Sequence, residues 1–165
     1  MALVKYVIDT NILVYAQDPR TPAKRRLARA VLTRLAESGE AALPAQSLSE
    51  FASVQLTKVK PAPDPETISA QIGRLEVAFE VLPLTAAVIA EALRAVRQHR
   101  LSYYDAQIWA VAHLAQARLL VSEDFKHGST IEGVTFVDPF QPGRGCCLTS
   151  DPWRARPQAT LIMRG

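Results

Sequence analysis

The sequence predicts an α/β fold with a mostly parallel sheet of four or five short strands. Short runs of β-branched and apolar residues, typical of buried strands, alternate along the chain with longer segments of helical period. The 165 residues are 48% hydrophobic and 21% charged, which is typical of one globular domain with a substantial core. Strands that alternate with helices ordinarily lie parallel in one sheet, with the helices packed on it.

Each predicted element has a local signal in the sequence. The run at 3–8 (LVKYVI) is rich in strand-forming residues, and a helical pattern after it stops at Gly39, a residue typical of helix ends. Three prolines between positions 61 and 65 deny a helix its backbone donors and predict a loop. The predicted strands cover 3–8, 41–44, 80–84, 119–122 and 134–137, and the later predicted helices cover 47–58, 66–79, 85–97 and 104–117.

The net charge of +3 belongs to the end of the chain. Residues 141–165 contain four arginines and one aspartate, whereas residues 1–140 contain 15 basic and 15 acidic residues. Charge alone therefore does not mark the main part of the chain as a nucleic-acid-binding protein. We expect one domain over residues 1–140 and a basic, Pro- and Gly-containing tail over 141–165 that is poorly ordered.

Composition excludes several classes of protein. The two cysteines, Cys146 and Cys147, are neighbours, so the sequence has neither a disulfide framework nor the spacing of a zinc site. The three histidines are scattered and do not form a ligand set. Lys5, Asp9 and Asn11 interrupt the apolar N-terminus too often for a signal peptide or a membrane span. We therefore expect a cytoplasmic protein without membrane contact.

Acidic residues gather at one edge of the predicted sheet. In a parallel sheet, the carboxyl end of each strand lies beside the amino end of a helix, and ligands bind at that edge. Four acidic residues are predicted there, each just after a strand or in the first turn of a helix: Asp9, Glu50, Asp105 and Asp124. Residues far apart in the sequence would thus meet in one carboxylate cluster.

Such a cluster predicts a divalent cation. Carboxylates that share one poorly solvated cleft repel one another strongly, and an all-oxygen site suits Mg²⁺ or Mn²⁺. A cation of this kind can activate water, bind phosphate oxygens and stabilise a leaving oxygen. Because the sequence shows no Ser, Cys or His arrangement for nucleophilic catalysis, hydrolysis of a phosphodiester by metal-bound water is the simplest hypothesis.

Each acid also has a purely structural explanation. Asp9 is well placed to cap the following helix, and Asp124 to stabilise a turn. Glu50 and Asp105 each follow a serine by three residues, which is the spacing of a capping box. Only their joint position at one edge favours a function.

Two neighbouring groups have two interpretations each. The basic residues at 24–26, with Arg29, either contact phosphate or form a solvated helix face, and the second is more typical of such a run. Tyr103 and Tyr104, beside Asp105, either stack on a nucleotide base or are half-buried.

Four segments together resemble the PIN-domain family. They are 7–13 (VIDTNIL), 49–51 (SEF), 101–106 (LSYYDA) and 120–125 (LVSEDF). Within that family they are similar to the toxin components of VapBC toxin–antitoxin pairs, and their order and spacing agree over residues 3–140. The first and third segments are the most specific. The tail has no counterpart in the resemblance.

The resemblance implies a three-layer α/β/α, PIN-like fold with a short, mostly parallel five-stranded sheet. It implies a Mg²⁺- or Mn²⁺-dependent endoribonuclease that acts on RNA, forms a homodimer and is inhibited by a cognate antitoxin protein. In the implied site, Asp9 and Asp105 are the metal ligands, Glu50 and Asp124 complete the catalytic acids, and Asn11 and Ser122 support these carboxylates by hydrogen bonds.

Two other functions are compatible with the sequence. One is a catalytically silent PIN-like module that binds RNA or protein, although the presence of all four acids argues against lost activity. The other is a phosphatase of the haloacid-dehalogenase type, which uses an aspartate at the end of its first strand as the nucleophile. That chemistry requires a second acid two residues later, where this chain has Asn11.

Overall fold

The computed structural model describes residues 4–141 and has an α/β fold built on one sheet. Its strands are β1 (Tyr6–Ile8), β2 (Ala41–Pro44), β3 (Glu80–Leu82), β4 (Leu119–Val121), β5 (Thr130–Ile131) and β6 (Val134–Val137). Its helices are α1 (Thr10–Gln17), α2 (Pro22–Ser38), α3 (Ala45–Thr57), α4 (Pro65–Ala78), α5 (Ala86–His99) and α6 (Tyr103–Leu114).

The strands lie in the order β3-β2-β1-β4-β6-β5. All neighbouring strands are parallel except β5 and β6. The five parallel strands are those expected from the sequence, and β5 is an addition of two residues. It returns to β6 through Glu132 and Gly133, whose φ values of 44° and 86° suit a two-residue hairpin turn. A two-residue strand is too short to give an alternating pattern in the sequence.

Two layers of helices cover the two faces of the sheet, so the predicted three-layer α/β/α architecture is confirmed. Successive residues of a strand point to opposite faces, and in β1 the side chains of Tyr6 and Ile8 pack into one core while Val7 packs into the other. The first core includes α1, α2 and α3, and the second includes α5 and α6. Trp109, fully buried, is the largest side chain of the second core.

The helical pattern before Gly39 folds into two helices instead of one. Asp18 ends α1, and α2 begins with Pro22 and ends at Gly39, which has a φ of 65° that suits glycine. Within residues 4–141, no helix is long and apolar enough to span a membrane. The predicted tail lies outside the described residues except for Gln141.

Candidate functional site

The site lies where the chain changes direction across the sheet. Strands β1 and β4 are central neighbours; the chain goes from β1 to β2 on one side and from β4, by way of β5, to β6 on the other. Open α/β sheets bind ligands at such a point, outside the carboxyl ends of the strands. Asp9 directly follows β1 and Ser122 directly follows β4, and the Asp9 amide donates to the Val121 carbonyl at 3.0 Å.

Asp9 is buried and hydrogen-bonded on both carboxylate oxygens. Its Oδ1 accepts from the Thr10 amide at 2.6 Å, so Asp9 also caps α1. Its Oδ2 accepts from the Ser122 hydroxyl at 2.6 Å and from Asn11 Nδ2 at 3.1 Å. The side chain is only 4% exposed. Asp9 therefore caps α1 with Oδ1 and contacts the neighbouring site residues with Oδ2.

Asn11 connects Asp9 with the segment after β4. Its Nδ2 also lies 3.0 Å from Ser122 Oγ and 3.0 Å from Asp124 Oδ2. The Asp124 amide donates to Ser122 Oγ at 3.1 Å, which orders the turn that carries this exposed acid. The Oδ1 atom of Asn11 is buried without a hydrogen-bond partner among the described residues.

Glu50 reaches the same edge from α3. Its Oε2 accepts from Thr10 Oγ1 at 3.1 Å, and its Oε1 accepts from Gln46 Nε2 at 2.6 Å. The capping box that the spacing of Ser47 and Glu50 allowed does not form. Helix α3 already begins at Ala45, and the buried Ser47 hydroxyl donates to the Ile8 carbonyl at 3.2 Å. Glu50 is therefore free of a capping role and turned toward α1.

Asp105 lies in the first turn of α6 and makes the capping contact that the sequence allowed. The Asp105 amide donates to Ser102 Oγ at 3.3 Å, and that hydroxyl donates to Asp105 Oδ2 at 2.6 Å. The connection of this turn to the other acids is indirect. Gln46 Nε2, which binds Glu50, also donates to the Tyr104 carbonyl at 3.2 Å.

Burial and like charge raise the pKa of Asp9 to about 7 from its ordinary value of 3.8. Burial has the largest effect, and the charges of Asp124 and Glu50 add to it. The hydrogen bonds from Ser122 and Thr10 act in the opposite direction. Asp9, Glu50 and Asp124 therefore form one electrostatic group.

The four acids are not drawn tightly together. Among residues 4–141, the group of three metal-type side chains whose ligand atoms lie within 4.8 Å of one another is Glu91, His113 and Glu132. The carboxylates of that group are already paired with a side-chain cation, because the Arg94 guanidinium contacts Glu91 and lies 2.8 Å from Glu132 Oε2. His99 adds a contact of 2.6 Å to Glu132. We interpret it as an ionic network that joins α5, α6 and the β5–β6 turn.

Some residues that shape the site were missed from the sequence. Gln46 and Thr10 both hold Glu50. Gln46 precedes Glu50 by four residues on one helix, so helical spacing was the signal that could have found it. Asp138, buried directly after β6, is a further acid at this edge; its oxygens accept from the Phe140 amide and the Gln141 side chain.

This fold and site define an α/β protein with a buried aspartate and further acids at the switch point of a parallel sheet. The PIN domain family model matches residues 6–130, and the chain belongs to that family.

Solved structures with the same fold include several toxin–antitoxin proteins. A toxin–antitoxin complex from Klebsiella pneumoniae matches with a TM-score of 0.59 and 21% identity, covering 83% of this chain and 99% of that chain. VapC20 from Mycobacterium tuberculosis, described as a Sarcin-Ricin loop cleaving toxin, matches with a TM-score of 0.53 and 17% identity, covering 70% of this chain and 87% of that chain. DNA-bound VapBC from Salmonella typhimurium matches with a TM-score of 0.59 and 16% identity, covering 82% of this chain and 98% of that chain. A comparison with curated protein sequences finds no match.

Proposed function

We propose that this chain is a metal-dependent endoribonuclease and the toxin component of a toxin–antitoxin pair. Membership of the PIN domain family and the likeness to VapC toxins support this proposal. The observation that carries it is Asp9, a buried carboxyl with a pKa near 7 beside two other acids at the switch point of the sheet. Burying an ionisable carboxyl group beside other acids costs folding free energy, and such groups are typical of functional sites.

The donor set fits a hard divalent cation. All the candidate ligands are carboxylate oxygens, with Asp9 and Asp105 as the principal ligands and Glu50 and Asp124 as the further acids. Their open spacing leaves room for water, which Mg²⁺ retains when bound to proteins. When bound, Mg²⁺ or Mn²⁺ would supply charge neutralisation at a phosphodiester and a lower pKa for the attacking water.

The residues around the acids hold them in place for this chemistry. Ser122 and Asn11 donate to Asp9 Oδ2, which favours the ionised carboxylate and fixes its orientation. Asn11 also holds Asp124, and Thr10 holds Glu50. Gln46 links Glu50 to the turn that carries Asp105. A site held in this way needs little rearrangement when a charged substrate binds.

The proposed partners follow from the related proteins. One neighbour is named for cleavage of the Sarcin-Ricin loop, and others are toxin–antitoxin complexes, two of them bound to DNA. We infer an RNA substrate, a cognate antitoxin and a homodimer for this chain, acting in the cytoplasm.

The test is cleavage of structured RNA by the purified full chain. We expect cleavage with Mg²⁺ or Mn²⁺, loss of cleavage with EDTA, and loss of cleavage in Asp9→Asn with the circular dichroism spectrum unchanged. Glu76→Gln, which makes the same chemical change on the exposed surface of α4, is the matched control and should cleave normally. Equal cleavage by Asp9→Asn and the wild type would show that the site is assigned wrongly. Antitoxin binding without any cleavage would favour the silent module instead.

A further inference from the structure

The residue between Ser122 and Asp124 is fixed to two helices. Glu123 Oε1 accepts from the Tyr15 hydroxyl at 2.5 Å, and Tyr15 belongs to α1. Glu123 Oε2 lies 2.5 Å from Lys24 Nζ, and Lys24 belongs to α2. We refer to Tyr15, Lys24 and Glu123 as the clamp. The sequence predicts no site role for Tyr15 or Glu123, and Lys24 belongs to the basic run 24–26, for which it allows two interpretations.

Lys24 contacts the other clamp residues and also the Phe140 ring. Its Nζ donates to the Tyr15 hydroxyl at 3.1 Å and lies 4.2 Å from the centre of the Tyr15 ring. The Phe140 ring, 5.1 Å from Nζ, packs edge-on against Tyr15. The hydrogen bond to Glu123 raises the pKa of both Lys24 and Tyr15. Lys24 is therefore bound to the protein itself instead of forming part of a solvated basic face.

Three consecutive side chains hold this segment from two directions. Ser122 and Asp124 face Asp9 and Asn11, whereas Glu123 faces α1 and α2. The segment cannot shift toward or away from Asp9 without breaking one of these two sets of contacts.

The positive charge of Lys24 also limits the repulsion between Glu123 and the neighbouring acids. Glu123 adds a carboxylate next to Asp124, in a region where acids already raise the pKa of Asp9. Paired with Lys24, Glu123 adds little further repulsion; unpaired, it would repel Asp124 and disturb the turn. The Glu123 side chain is 21% exposed, so water screens it only in part.

We propose that Lys24, Tyr15 and Glu123 are positioning residues for the acidic site: the clamp fixes residues 122–124 so that Ser122 and Asp124 hold their places against Asp9. The catalytic consequence rests on the proposed nuclease function. Lys24 then acts through Glu123 and has no direct contact with RNA phosphate.

The kinetic experiment compares Lys24→Met, Glu123→Gln and the double variant. For Lys24→Met we expect kcat to fall about tenfold with little change in KM, because a charge-assisted contact that orients the site is lost. Glu123→Gln should lose less, since glutamine still accepts from Tyr15. The double variant should match Glu123→Gln, because it contains no unpaired carboxylate. Lys126→Met, a charge loss at an exposed position of the same loop, is the matched control.

Amide hydrogen exchange tests the clamp without RNA or metal. We expect faster exchange at residues 122–126 in Lys24→Met, reversed in the double variant and absent in Lys126→Met. Unchanged exchange in Lys24→Met would overturn the inference. A raised KM with unchanged kcat and a weaker salt dependence would also overturn it, because Lys24 would then bind phosphate. If the wild type does not cleave RNA, the proposed function fails, and exchange alone decides the clamp.

Discussion

Replacing Asp9 with asparagine should remove a pH-dependent cost of folding. In the metal-free protein, Asp9 is 4% exposed and near Glu50 and Asp124, so its ionised form is disfavoured in the folded state. Asparagine has almost the same shape and cannot ionise. The variant and the wild type should therefore differ in how their stability changes with pH, whatever the change in hydrogen bonding costs at a single pH.

The sign and size of this effect follow from the two pKa values. The Asp9 pKa is about 7 in the folded protein and 3.8 ordinarily, so between these values the unfolded chain binds fewer protons. The free energy of unfolding therefore falls as pH rises through this window and levels off above it. The full difference corresponds to roughly 4 kcal/mol as an upper bound. We expect the wild type to lose about 2 kcal/mol relative to Asp9→Asn between pH 5 and pH 8.

Urea unfolding in EDTA at pH 5 and pH 8 measures this difference. The Glu76→Gln control should follow the wild type at both values. Excess Mg²⁺ at pH 8 should raise the stability of the wild type and leave Asp9→Asn nearly unchanged, because ligands that bind the folded state stabilise it. A stability difference between Asp9→Asn and wild type that is the same at pH 5 and pH 8 would refute the reasoning.

Two further predictions concern other hydrogen bonds. Ser122→Ala should lower the free energy of unfolding at pH 8 by about 1–3 kcal/mol, because buried Asp9 Oδ2 and Asn11 each lose a hydrogen-bond partner. Urea unfolding measures this loss, with Ser53→Ala as the exposed control. Equal stability of the two variants would contradict the prediction. Arg94 and His99 lower the pKa of Glu132 to about 2, so its contribution to stability is present above its ordinary value of 4.5 and lost as pH falls toward 2. Glu132→Gln should flatten that acid loss in a thermal unfolding series, and an identical acid profile would contradict the role given to Glu132.

Local patterns in the sequence were enough to predict most of the architecture. Strand β1 is a short run of buried apolar residues, and Gly39 ends α2 with a positive φ. Such signals depend on neighbours along the chain, which is why they can be read without the fold. The pattern failed where the feature was too short, as in β5, or where packing moved a boundary, as at Ala45 in α3.

The acidic edge was predictable for a related reason. Parallel strands bring their carboxyl ends together, so the position of an acid after a strand predicts its neighbours. The structure places Asp9, Glu50 and Asp124 in one electrostatic group by this rule. The role of Glu50 could not be decided in the same way, because Ser47 has the right spacing for a capping box and yet lies inside the helix.

The sequence by itself determined the fold class, the family resemblance and the residue types available at one edge of the sheet. Only the tertiary structure decided how those residues are held: the link from Gln46 to Glu50 and Tyr104, and the clamp that joins Glu123 to α1 and α2. Lys24 and Glu123 are 99 residues apart, and no local pattern relates them. Such contacts arise from the packing of whole elements, and the direction of each side chain is fixed only when that packing is complete.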